Sequence, residues 1–542
     1  MTILRGQSIS HGVAFGELHF YHRTSAKHEK RLVEDTEAEV ERFESARGQA
    51  IAQLAVLYTE TKSKLGEEIS LLFQIHQMML EDIDYCDAVT KLIRREGVCA
   101  EYAVNQTAEQ FAGNFLKMDD EYIKSRAADV KDVSDRVITI LTGTEEKGHM
   151  GDSPFILAAD DLAPSETAQL DEHKVLAIAT SKGSANSHTA IFARTMGIPA
   201  VIGLGDTLDN HLEGRQVILD GASGVVYVDP DEETARNLRL KQEDELHRKQ
   251  LLEHYRGRLT ETKDGHKINL YANIGNLSDV DTVLKNDAEG IGLFRSEFLY
   301  LEKNTYPTEE EQFEVYKAVT QKMQGKRVII RTLDIGADKQ ADYFGLPREE
   351  NPAMGLRAIR ICLTRPEIFR VQLRAIYRAS YYGKIAIMFP MINSLNEVRQ
   401  IKKICADVRS ELDQKKIPFD RGVDLGIMIE TPAAAIISDE LAQEVDFFSV
   451  GTNDLTQYTL AVDRQNRNLA QFCDVHHKAV LKLIRTAAEN AHKCGIWVGI
   501  CGELGADESL LPTFLEMGID ELSVAPSAVL NLRSKIAEIS LR

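Results

Sequence analysis

The 542-residue chain is poor in the features that mark secreted, zinc-binding and membrane proteins. Its seven cysteines are scattered and form no Cys-x-x-Cys pair, so the pattern predicts neither a disulfide framework nor a zinc site. No apolar run is long enough to span a bilayer, and the Met-Thr-Ile-Leu-Arg start does not resemble a signal peptide. We therefore expect a protein of the reducing cytoplasm.

Positive charge is also in short supply. The chain carries 64 Lys and Arg residues against 84 Asp and Glu residues, which gives a formal net charge of -20. Because so acidic a surface repels polyanions, we expect neither nucleic acid nor an anionic membrane as a partner. Hydrophobic residues make up 43 % of the chain, which is typical of a globular protein with several domains at this length.

Proline is missing from the first 153 residues, and the residue pattern changes within that stretch. Residues 3–21 alternate small and apolar positions, which predicts two short strands with turns at Gly12 and Gly16. From residue 30 to 141, apolar residues recur at helical spacing, which predicts a bundle of about four helices. Strand-like sequence resumes at Pro154, so the helical bundle is predicted to be an insertion into an α/β domain.

The second half of the chain alternates apolar strands with helices, and eight strand candidates predict a parallel (β/α)8 barrel. Before it, residues 231–258 are dense in charge, which predicts a solvated connector helix. We therefore predict an α/β multidomain protein: an α/β domain of residues 1–21 and 145–230, an inserted helical domain (22–144), the connector (231–260) and the barrel (261–542). The barrel strands are predicted to begin near Ile268, Gly290, Val328, Ile385, Gly426, Phe447, Val498 and Glu521.

A loop of small residues, Ser181-Lys-Gly-Ser-Ala-Asn-Ser187, leads directly into His188. His188 lies where a helix is predicted to begin, and that helix is predicted to end at Gly197. A helix start offers unpaired N–H groups and the positive end of a dipole, which suit an anion, and an imidazole there can act as a nucleophile. A lone histidine in such a position is more often a cap, so this assignment needs a second site.

Charged and polar side chains follow the apolar runs of several predicted barrel strands. Because the carboxyl ends of the strands face one mouth of such a barrel, we expect these side chains to converge. Arginines offer planar forks for phosphate and carboxylate, and two carboxylates at adjacent strand ends suit Mg²⁺. The set predicts a small ligand that carries both phosphate and carboxylate. Its members are Arg295, Glu297, Arg331, Asp334, Glu430, Asn453, Asp454, Arg464, Cys501 and Glu503.

In both the His188 loop and the polar strand ends of the barrel, the chain resembles the enzyme I family of bacterial sugar phosphotransferase systems. That family belongs to the enzymes that use phosphoenolpyruvate (PEP). The resemblance runs essentially from end to end. Its most specific parts are Ser187-His-Thr-Ala-Ile191 through Gly197-Ile-Pro-Ala200, Gly290 to Tyr300, Arg331 to Gly336, Asn351 to Arg360, Phe448 through Arg464, and Cys501-Gly-Glu503.

The resemblance implies a two-step relay, in which PEP phosphorylates His188 and the phosphohistidine passes its group to a histidine of the small carrier protein HPr. A thiol of ordinary pKa, about 8.5, is mostly protonated at pH 7 and can act as an acid. By resemblance, Cys501 would use its thiol to protonate the enolate of pyruvate, although a cysteine there can also be a small buried hydrophobe. The other implied roles are PEP binding by Arg295, Arg331, Arg357, Asn453, Asp454 and Arg464, Mg²⁺ binding by Glu430 and Asp454, and orientation of the His188 ring by Thr167.

The helical insertion resembles the HPr-binding domain of the family, and the family implies a homodimer formed through the barrel. Because His188 and the PEP-binding residues fall in different domains, the relay needs a domain reorientation, for which we expect the connector to be the hinge. Methionine and histidine on an apolar helix face more often belong to the core. The residues that fall where the family docks its carrier are Glu67, Glu68, His76, Met78, Met79 and Arg126.

The loop before His188 departs from the Gly-Gly-x-Thr-Ser-His pattern of the family, because Ser184 replaces the second glycine and Asn186 replaces the threonine. Three alternatives remain open at this point. Pyruvate phosphate dikinase and PEP synthase share both motifs, but they need an ATP-grasp lobe for which no nucleotide loop is found. The nitrogen-related paralogue has an extra N-terminal sensory domain, and none is expected here. A non-catalytic scaffold would be expected to lose His188, Arg331 or Cys501.

Overall fold

The structure, a computed structural model, forms two compact units, Met1–Lys249 and Gln250–Arg542. Within the part it describes, no helix combines the length and apolar character needed to cross a membrane. The described residues are 1–21, 29–65, 67–117, 121–143, 153–168, 170–171, 174–184, 187–301, 303–336, 341–347 and 349–541.

The first unit contains a mixed sheet of eight strands, in the order β1-β8-β7-β3-β4-β5-β6-β2 among the described residues. Strands β3 to β6 run parallel to one another, and the remaining pairings are antiparallel. The strands are β1 (Thr2–Arg5), β2 (Gln7–Ser10), β3 (Val13–Phe20), β4 (Phe155–Ala159), β5 (Val175–Thr180), β6 (Ala200–Ile202), β7 (Gln216–Asp220) and β8 (Val225–Val228).

The start of the chain differs from the prediction of two strands, because residues 2–20 form three. Gly12 has φ +127° and makes a turn, as predicted. Gly16, in contrast, lies inside β3 and pairs with Val217, so the turn predicted there is wrong. A Cβ at Gly16 would lie 3.2 Å from the Leu176 side chain, so glycine here provides room for packing.

Five helices lie between β3 and β4 in the described part of the insertion, one more than the predicted four. The extra break comes at Asp82, whose carboxylate accepts a hydrogen bond from Tyr85 N–H at 3.0 Å and caps a new helix. Buried residues such as Phe43, Phe73 and Val104 form the core of this bundle. The helices are α1 (Thr36–Leu65), α2 (Glu67–Glu81), α3 (Ile83–Glu96), α4 (Ala100–Phe115) and α5 (Glu121–Thr142).

Between β4 and the barrel, the described residues form three further α-helices, namely α6 (Pro164–Ala168), α7 (His188–Met196) and the charged helix α8 (Glu232–Glu253). The beginning of α8 is less solvated than its composition predicts. Leu238 is buried against Val13 and Ile218, and Lys241 Nζ lies 2.7 Å from Asp220 Oδ2. This first half of the connector is therefore fixed to the sheet of the first unit.

The second unit is a closed barrel of eight parallel strands within the described chain, which confirms the predicted fold class and all eight predicted strands. The strands are β9 (Asn269–Ile274), β10 (Gly290–Arg295), β11 (Arg327–Arg331), β12 (Ile385–Phe389), β13 (Asp424–Ile429), β14 (Phe447–Val450), β15 (Trp497–Cys501) and β16 (Glu521–Val524). The helices are α9 (Asp279–Lys285), α10 (Phe298–Leu301), α11 (Glu309–Lys322), α12 (Ile359–Thr364), α13 (Pro366–Ser380), α14 (Leu395–Gln414), α15 (Pro432–Ile436), α16 (Ser438–Leu441), α17 (Thr452–Leu460), α18 (Lys478–Lys493), α19 (Leu511–Glu516) and α20 (Val529–Ile536).

A stacked aromatic pair lies at the amino-terminal end of the barrel, where β14 and β15 begin, and it leads to a prediction about stability. Phe447 stacks on Trp497 with ring centroids 4.5 Å apart, and a Cβ on Gly426 would overlap the Phe447 ring. We expect Gly426→Ala to destabilise the barrel by about 1–3 kcal/mol, the usual cost of overpacking. Trp497 is the single tryptophan, so its fluorescence during urea unfolding reports on the barrel. Gly422→Ala, in an exposed loop, is the control, and equal midpoints for the two variants would contradict the prediction.

Candidate functional site

Arg331, at the carboxyl end of β11, is a buried charge at the barrel mouth. Its side chain is 6 % exposed and pairs with Glu297 and with Asp334, the latter at 3.0 Å. Burial lowers the pKa of Arg331, but the charges of Glu297 and Asp334 outweigh burial and raise it well above its usual range. The guanidinium is therefore held in one place and stays charged.

Arg357 joins the same network from the loop that precedes α12. Its Nη2 donates to Asp334 Oδ1 at 2.9 Å, and its Nη1 donates to the Tyr458 hydroxyl at 3.1 Å. The Nε atoms of Arg331 and Arg357 are buried and have no hydrogen-bond partner within the described part of the chain. Two fixed guanidinium groups thus retain donors for an anion at the mouth.

The other predicted PEP-binding residues lie at the same end of the barrel. Arg295 ends β10, is exposed, and is the register partner of Arg331. Arg464 Nη2 lies 3.9 Å from Asp454 Oδ1, and Arg357 Nη1 lies 4.0 Å from that oxygen. Asn453 Nδ2 donates to Glu503 Oε1 at 3.1 Å.

Glu430, at the end of β13, is fully buried beside these residues. Its Oε1 accepts the Met391 N–H at 2.5 Å, whereas Oε2 has no hydrogen-bond partner in the described structure. Burial raises the pKa of Glu430 well above its usual range, and the charges of Asp454 and Asp334 raise it further. No group of three or more potential ligands forms among the described residues. Glu430 and Asp454 still fit a divalent cation, because a cation between them would satisfy the unpaired oxygen and take its other oxygens from substrate and water.

Cys501 ends β15 and is 5 % exposed. Its thiol donates to the Val450 carbonyl oxygen at 3.7 Å. Burial raises the pKa of Cys501 to about 12, against the lowering effect of the neighbouring Ser449 hydroxyl. The thiol therefore keeps its proton over the whole neutral range and can give it to a base that forms beside it.

His188 is the first residue of α7, and the helix ends at Gly197, as predicted. Ser187 caps the helix by accepting the Ala190 N–H at 3.3 Å, so the cap is the serine and the imidazole is left for other contacts. The His188 side chain is 35 % exposed, and its Nε2 lies 3.6 Å from Asp129 Oδ1 on α5. Of the two positions where the loop departs from the family pattern, Ser184 ends a described stretch, whereas Asn186 lies outside the described residues.

Asp129 is a site residue that the sequence reasoning missed. It is fully buried and also contacts His76 Nε2 at 3.4 Å and Arg126 Nη1 at 2.9 Å. Burial raises the pKa of Asp129, but the neighbouring His188, His76 and Arg126 side chains outweigh burial and hold it well below its usual range. The i, i+3 spacing from Arg126 is its only sequence signal. Thr167 donates its hydroxyl to the Pro164 carbonyl at 2.9 Å, and its predicted orienting role stays a prediction.

The predicted HPr-docking residues occupy different environments. Met78 is 64 % exposed, Met79 packs against the core of the helical bundle, and His76 is fully buried. Arg126 is half-buried on Asp129. The side chains of Glu67 and Glu68 lie outside the described part of the structure. Of the described residues in this set, Met78 is therefore the one that presents most of its side chain to solvent.

The low pKa of Asp129 gives a pH prediction. Because the folded pKa lies below the unfolded value of about 3.8, the carboxylate stabilises the fold at higher pH, and that stability is lost as the pH falls below about 4. We expect Asp129→Asn to lower the free energy of unfolding of the first unit at pH 7 by roughly 2 kcal/mol, as for a hydrogen bond to a buried charge. The measurement is urea unfolding followed by circular dichroism at several pH values. A difference between parent and variant that persists unchanged at pH 3 would contradict this reading.

Sequence models of three domains of the PEP-utilising enzyme family match successive parts of the chain. They are the N-terminal domain (5–126), the mobile domain (151–224) and the PEP-binding domain (249–541). The chain is 40 % identical over 538 residues to a phosphoenolpyruvate-protein phosphotransferase of Priestia megaterium, a match that covers 99 % of this chain and 94 % of the relative. It is 41 % identical over 541 residues to the same enzyme of Bacillus subtilis, covering 100 % and 95 %. A Listeria monocytogenes relative of that name is 40 % identical over 537 residues, covering 99 % and 94 %. The chain therefore belongs to the PEP-utilising enzymes, in the family of the phosphoenolpyruvate-protein phosphotransferases.

Proposed function

We propose that this protein transfers the phosphoryl group of PEP to its own His188 and then to a histidine of the carrier protein HPr. The observation that carries the proposal is the barrel mouth, where two buried guanidinium groups with free donors lie beside a buried carboxylate and a protonated thiol. PEP is a small molecule with a phosphate, a carboxylate and an enol carbon. The mouth offers a matching group for each of them.

Arg331 and Arg357 bind the anionic groups of PEP, and Arg295 and Arg464 complete the positive rim. Asp334 links the first two arginines, since it accepts from Arg357 at 2.9 Å and lies 3.0 Å from Arg331. Both guanidinium groups are thereby held in place before PEP arrives. A fixed positive charge is most effective in a loose phosphoryl-transfer transition state, because it needs no reorganisation as the charge moves.

Glu430 and Asp454 would hold Mg²⁺, which when bound supplies positive charge for the phosphate and the developing enolate. The unpaired Oε2 of Glu430 and the proximity of Asp454 support this assignment. The hydrogen bond from Met391 N–H fixes the other Glu430 oxygen, so the carboxylate is oriented by the chain itself. Asn453 lies beside them and would contact the same ligand.

Cys501 protonates the enolate carbon of pyruvate once the phosphoryl group has left. The thiol lies at the end of β15 on the inner face of the barrel, in the same small cluster of side chains as Met428. Its raised pKa keeps the proton available at neutral pH. Because protonation at carbon converts the enolate to pyruvate, this step makes the phosphoryl transfer thermodynamically downhill.

His188 accepts the phosphoryl group and later delivers it to HPr, which we propose binds the helical insertion. The contacts of His188 Nε2 and His76 with Asp129 bring the phosphoacceptor to that insertion within the first unit. The barrel-facing half-reaction requires His188 to leave Asp129, with the hinge in the connector. We further propose a cytoplasmic homodimer that forms through the barrel, as in the family.

The direct test is incubation of the protein with radiolabelled PEP and Mg²⁺, followed by addition of HPr. We expect an acid-labile, base-stable label on the chain that moves to HPr. A chain that takes no label would be a scaffold and would contradict the proposal. ATP-dependent formation of PEP from pyruvate would instead favour a dikinase or a PEP synthase.

A further inference from the structure

The barrel has a second opening, at the end opposite the PEP mouth. There the amino-terminal ends of the strands surround a cavity of about 530 Å³ that opens to solvent. Tyr271, Arg327 and Trp497 line its sides, and Glu521 lies among them. The chemistry proposed above makes no use of this cavity.

Glu521 is the unusual group in that cavity. It is 1 % exposed, and neither of its carboxyl oxygens has a hydrogen-bond partner among the residues that the structure describes. A buried carboxyl without hydrogen bonds is costly and uncommon, so this one calls for an explanation. The titratable or charged groups that face it are Tyr271, Arg327 and Cys501. Burial raises the pKa of Glu521 well above its usual range, against the lowering effect of Arg327, which favours the protonated carboxyl.

The strand register connects Glu521 to Cys501. Ser449, Gly499 and Glu521 are direct neighbours across β14, β15 and β16. Because Gly499 has no side chain, the Glu521 carboxyl occupies the space beside it, and a Cβ there would overlap that carboxyl. Cys501 follows Gly499 by two residues and so faces the same side of β15.

Ser449 is the register neighbour of Gly499 and lies on the strand face that also carries Glu521 and Cys501. Its hydroxyl oxygen is buried and has no partner of ordinary hydrogen-bond geometry in the described chain. Ser449 precedes Val450, whose carbonyl oxygen accepts a hydrogen bond from the Cys501 thiol at 3.7 Å, and the Ser449 hydroxyl lowers the pKa of that thiol. The Ser449 hydroxyl and the Glu521 carboxyl are therefore both buried without a described partner, and both residues lie on the strand face that carries Cys501.

We propose that Glu521 returns a proton to Cys501 after each turnover, through the Ser449 hydroxyl, and takes its own replacement from the amino-terminal cavity. The inference rests on the proposed function, because it requires Cys501 to protonate the enolate of pyruvate. When the new C–H bond forms on pyruvate, the S–H bond of Cys501 breaks and a thiolate remains. Ser449 gives its hydroxyl proton to that thiolate as it accepts the carboxyl proton of Glu521. The Glu521 carboxylate then takes a proton from solvent in the cavity, so one solvent proton is consumed for each pyruvate.

The Cys501 thiolate left by the reaction is unfavourable in this environment, so it readily accepts a proton. Burial disfavours a charged sulfur at this position and raises the pKa of the Cys501 thiol. A route from the opposite end of the barrel supplies the proton while product still occupies the mouth. The next turnover then begins with a protonated thiol.

The test compares the first turnover with later ones in the full-length protein. In the resting enzyme Cys501 already carries its proton, so we expect Glu521→Gln to label His188 from PEP in a rapid-quench burst of parental rate and amplitude. With excess HPr as acceptor, steady pyruvate release should fall roughly tenfold or more, as when proton transfer loses a positioned donor. A normal burst also shows that the variant is folded.

Two further variants and a control sharpen the comparison. Ser449→Ala should also give a parental burst and a reduced steady rate of pyruvate release, because it removes the hydroxyl that links Glu521 to Cys501. In Glu521→Ala, formate buffer should restore pyruvate release at least severalfold and leave the parent unchanged. Glu289 lines the same cavity, but its carboxylate accepts hydrogen bonds from the Thr260 hydroxyl and the Leu270 N–H, each at 2.9 Å. The control Glu289→Gln should therefore turn over like the parent.

Each contrary result is distinct. A normal burst with parental steady turnover in Glu521→Gln overturns the proton route and leaves the phosphotransfer proposal standing. A burst and a steady rate that fall together, with no formate rescue, mean that Glu521 supports the structure of the mouth, which also overturns the route. Absence of any label in the parent protein overturns the proposed function and the inference with it.

Discussion

Replacement of His188 by alanine is expected to abolish PEP-dependent labelling of this protein. The phosphoryl group needs a nucleophilic nitrogen, and in our proposal the His188 imidazole is the group that accepts it. His188 begins α7, where unpaired N–H groups and the helix dipole favour the doubly charged phosphohistidine. The loss should be complete, because an alanine methyl cannot take a phosphoryl group. Labelling with radioactive PEP and Mg²⁺, followed by peptide mapping, measures it.

The substitution should leave ligand binding by the barrel unchanged, so binding shows whether the variant protein is still folded. Titration calorimetry should show parental binding of PEP and Mg²⁺ to His188→Ala, because the proposed binding groups belong to the second unit. His211→Ala is the matched control, since His211 is an exposed histidine of the same unit as His188. A His188→Ala protein that still labels at the parental level would place the phosphoacceptor elsewhere.

The barrel was predictable because its strands are short apolar runs bounded by charged or turn residues. Each predicted start falls within about two residues of the observed one, as for β10 at Gly290 and β16 at Glu521. The amino-terminal strands were harder to predict. Gly16 carries the same local signal as Gly12, and it is a strand residue because it pairs with Val217, which is distant in sequence.

The mouth residues were predictable for a related reason, because a charged or polar residue where an apolar strand ends identifies the strand end. Arg331, Glu430 and Cys501 each occupy such an end. Arg357 does not follow a strand, so only the resemblance to the family pointed to it. Its pairing with Asp334 shows why it belongs to the site.

Asp129 and Glu521 were missed because their importance depends on tertiary neighbours. Asp129 lies on a helix face whose spacing shows only Arg126, while its contacts with His188 and His76 come from other elements. Glu521 was predicted only as the start of a strand. Its burial beside Gly499 follows from the closure of the barrel, which no local pattern specifies.

Replacement of Glu430 by glutamine is expected to slow PEP-dependent labelling of His188 by about 10²–10³-fold, the usual effect of losing one charge-stabilising group. The amide oxygen can still accept the Met391 N–H, so the side chain should keep its place. The fold should tolerate the change, because burial and the nearby carboxylates disfavour the charged form of Glu430. The lost property is the negative charge that, with Asp454, would hold Mg²⁺. Initial labelling rates across a Mg²⁺ titration measure both effects.

The Mg²⁺ concentration for half-maximal rate separates a cation ligand from a residue that only shapes the mouth. A ligand loss should raise this concentration at least tenfold, because one of the two proposed protein carboxylates is gone. Glu440→Gln, on the exposed surface of α16, is the matched control and should behave like the parent. If Glu430→Gln were slow but kept the parental Mg²⁺ requirement, Glu430 would act on PEP without the cation. The unpaired Oε2 would then need a different partner, and Arg331 is a candidate, since its charge already lowers the pKa of Glu430.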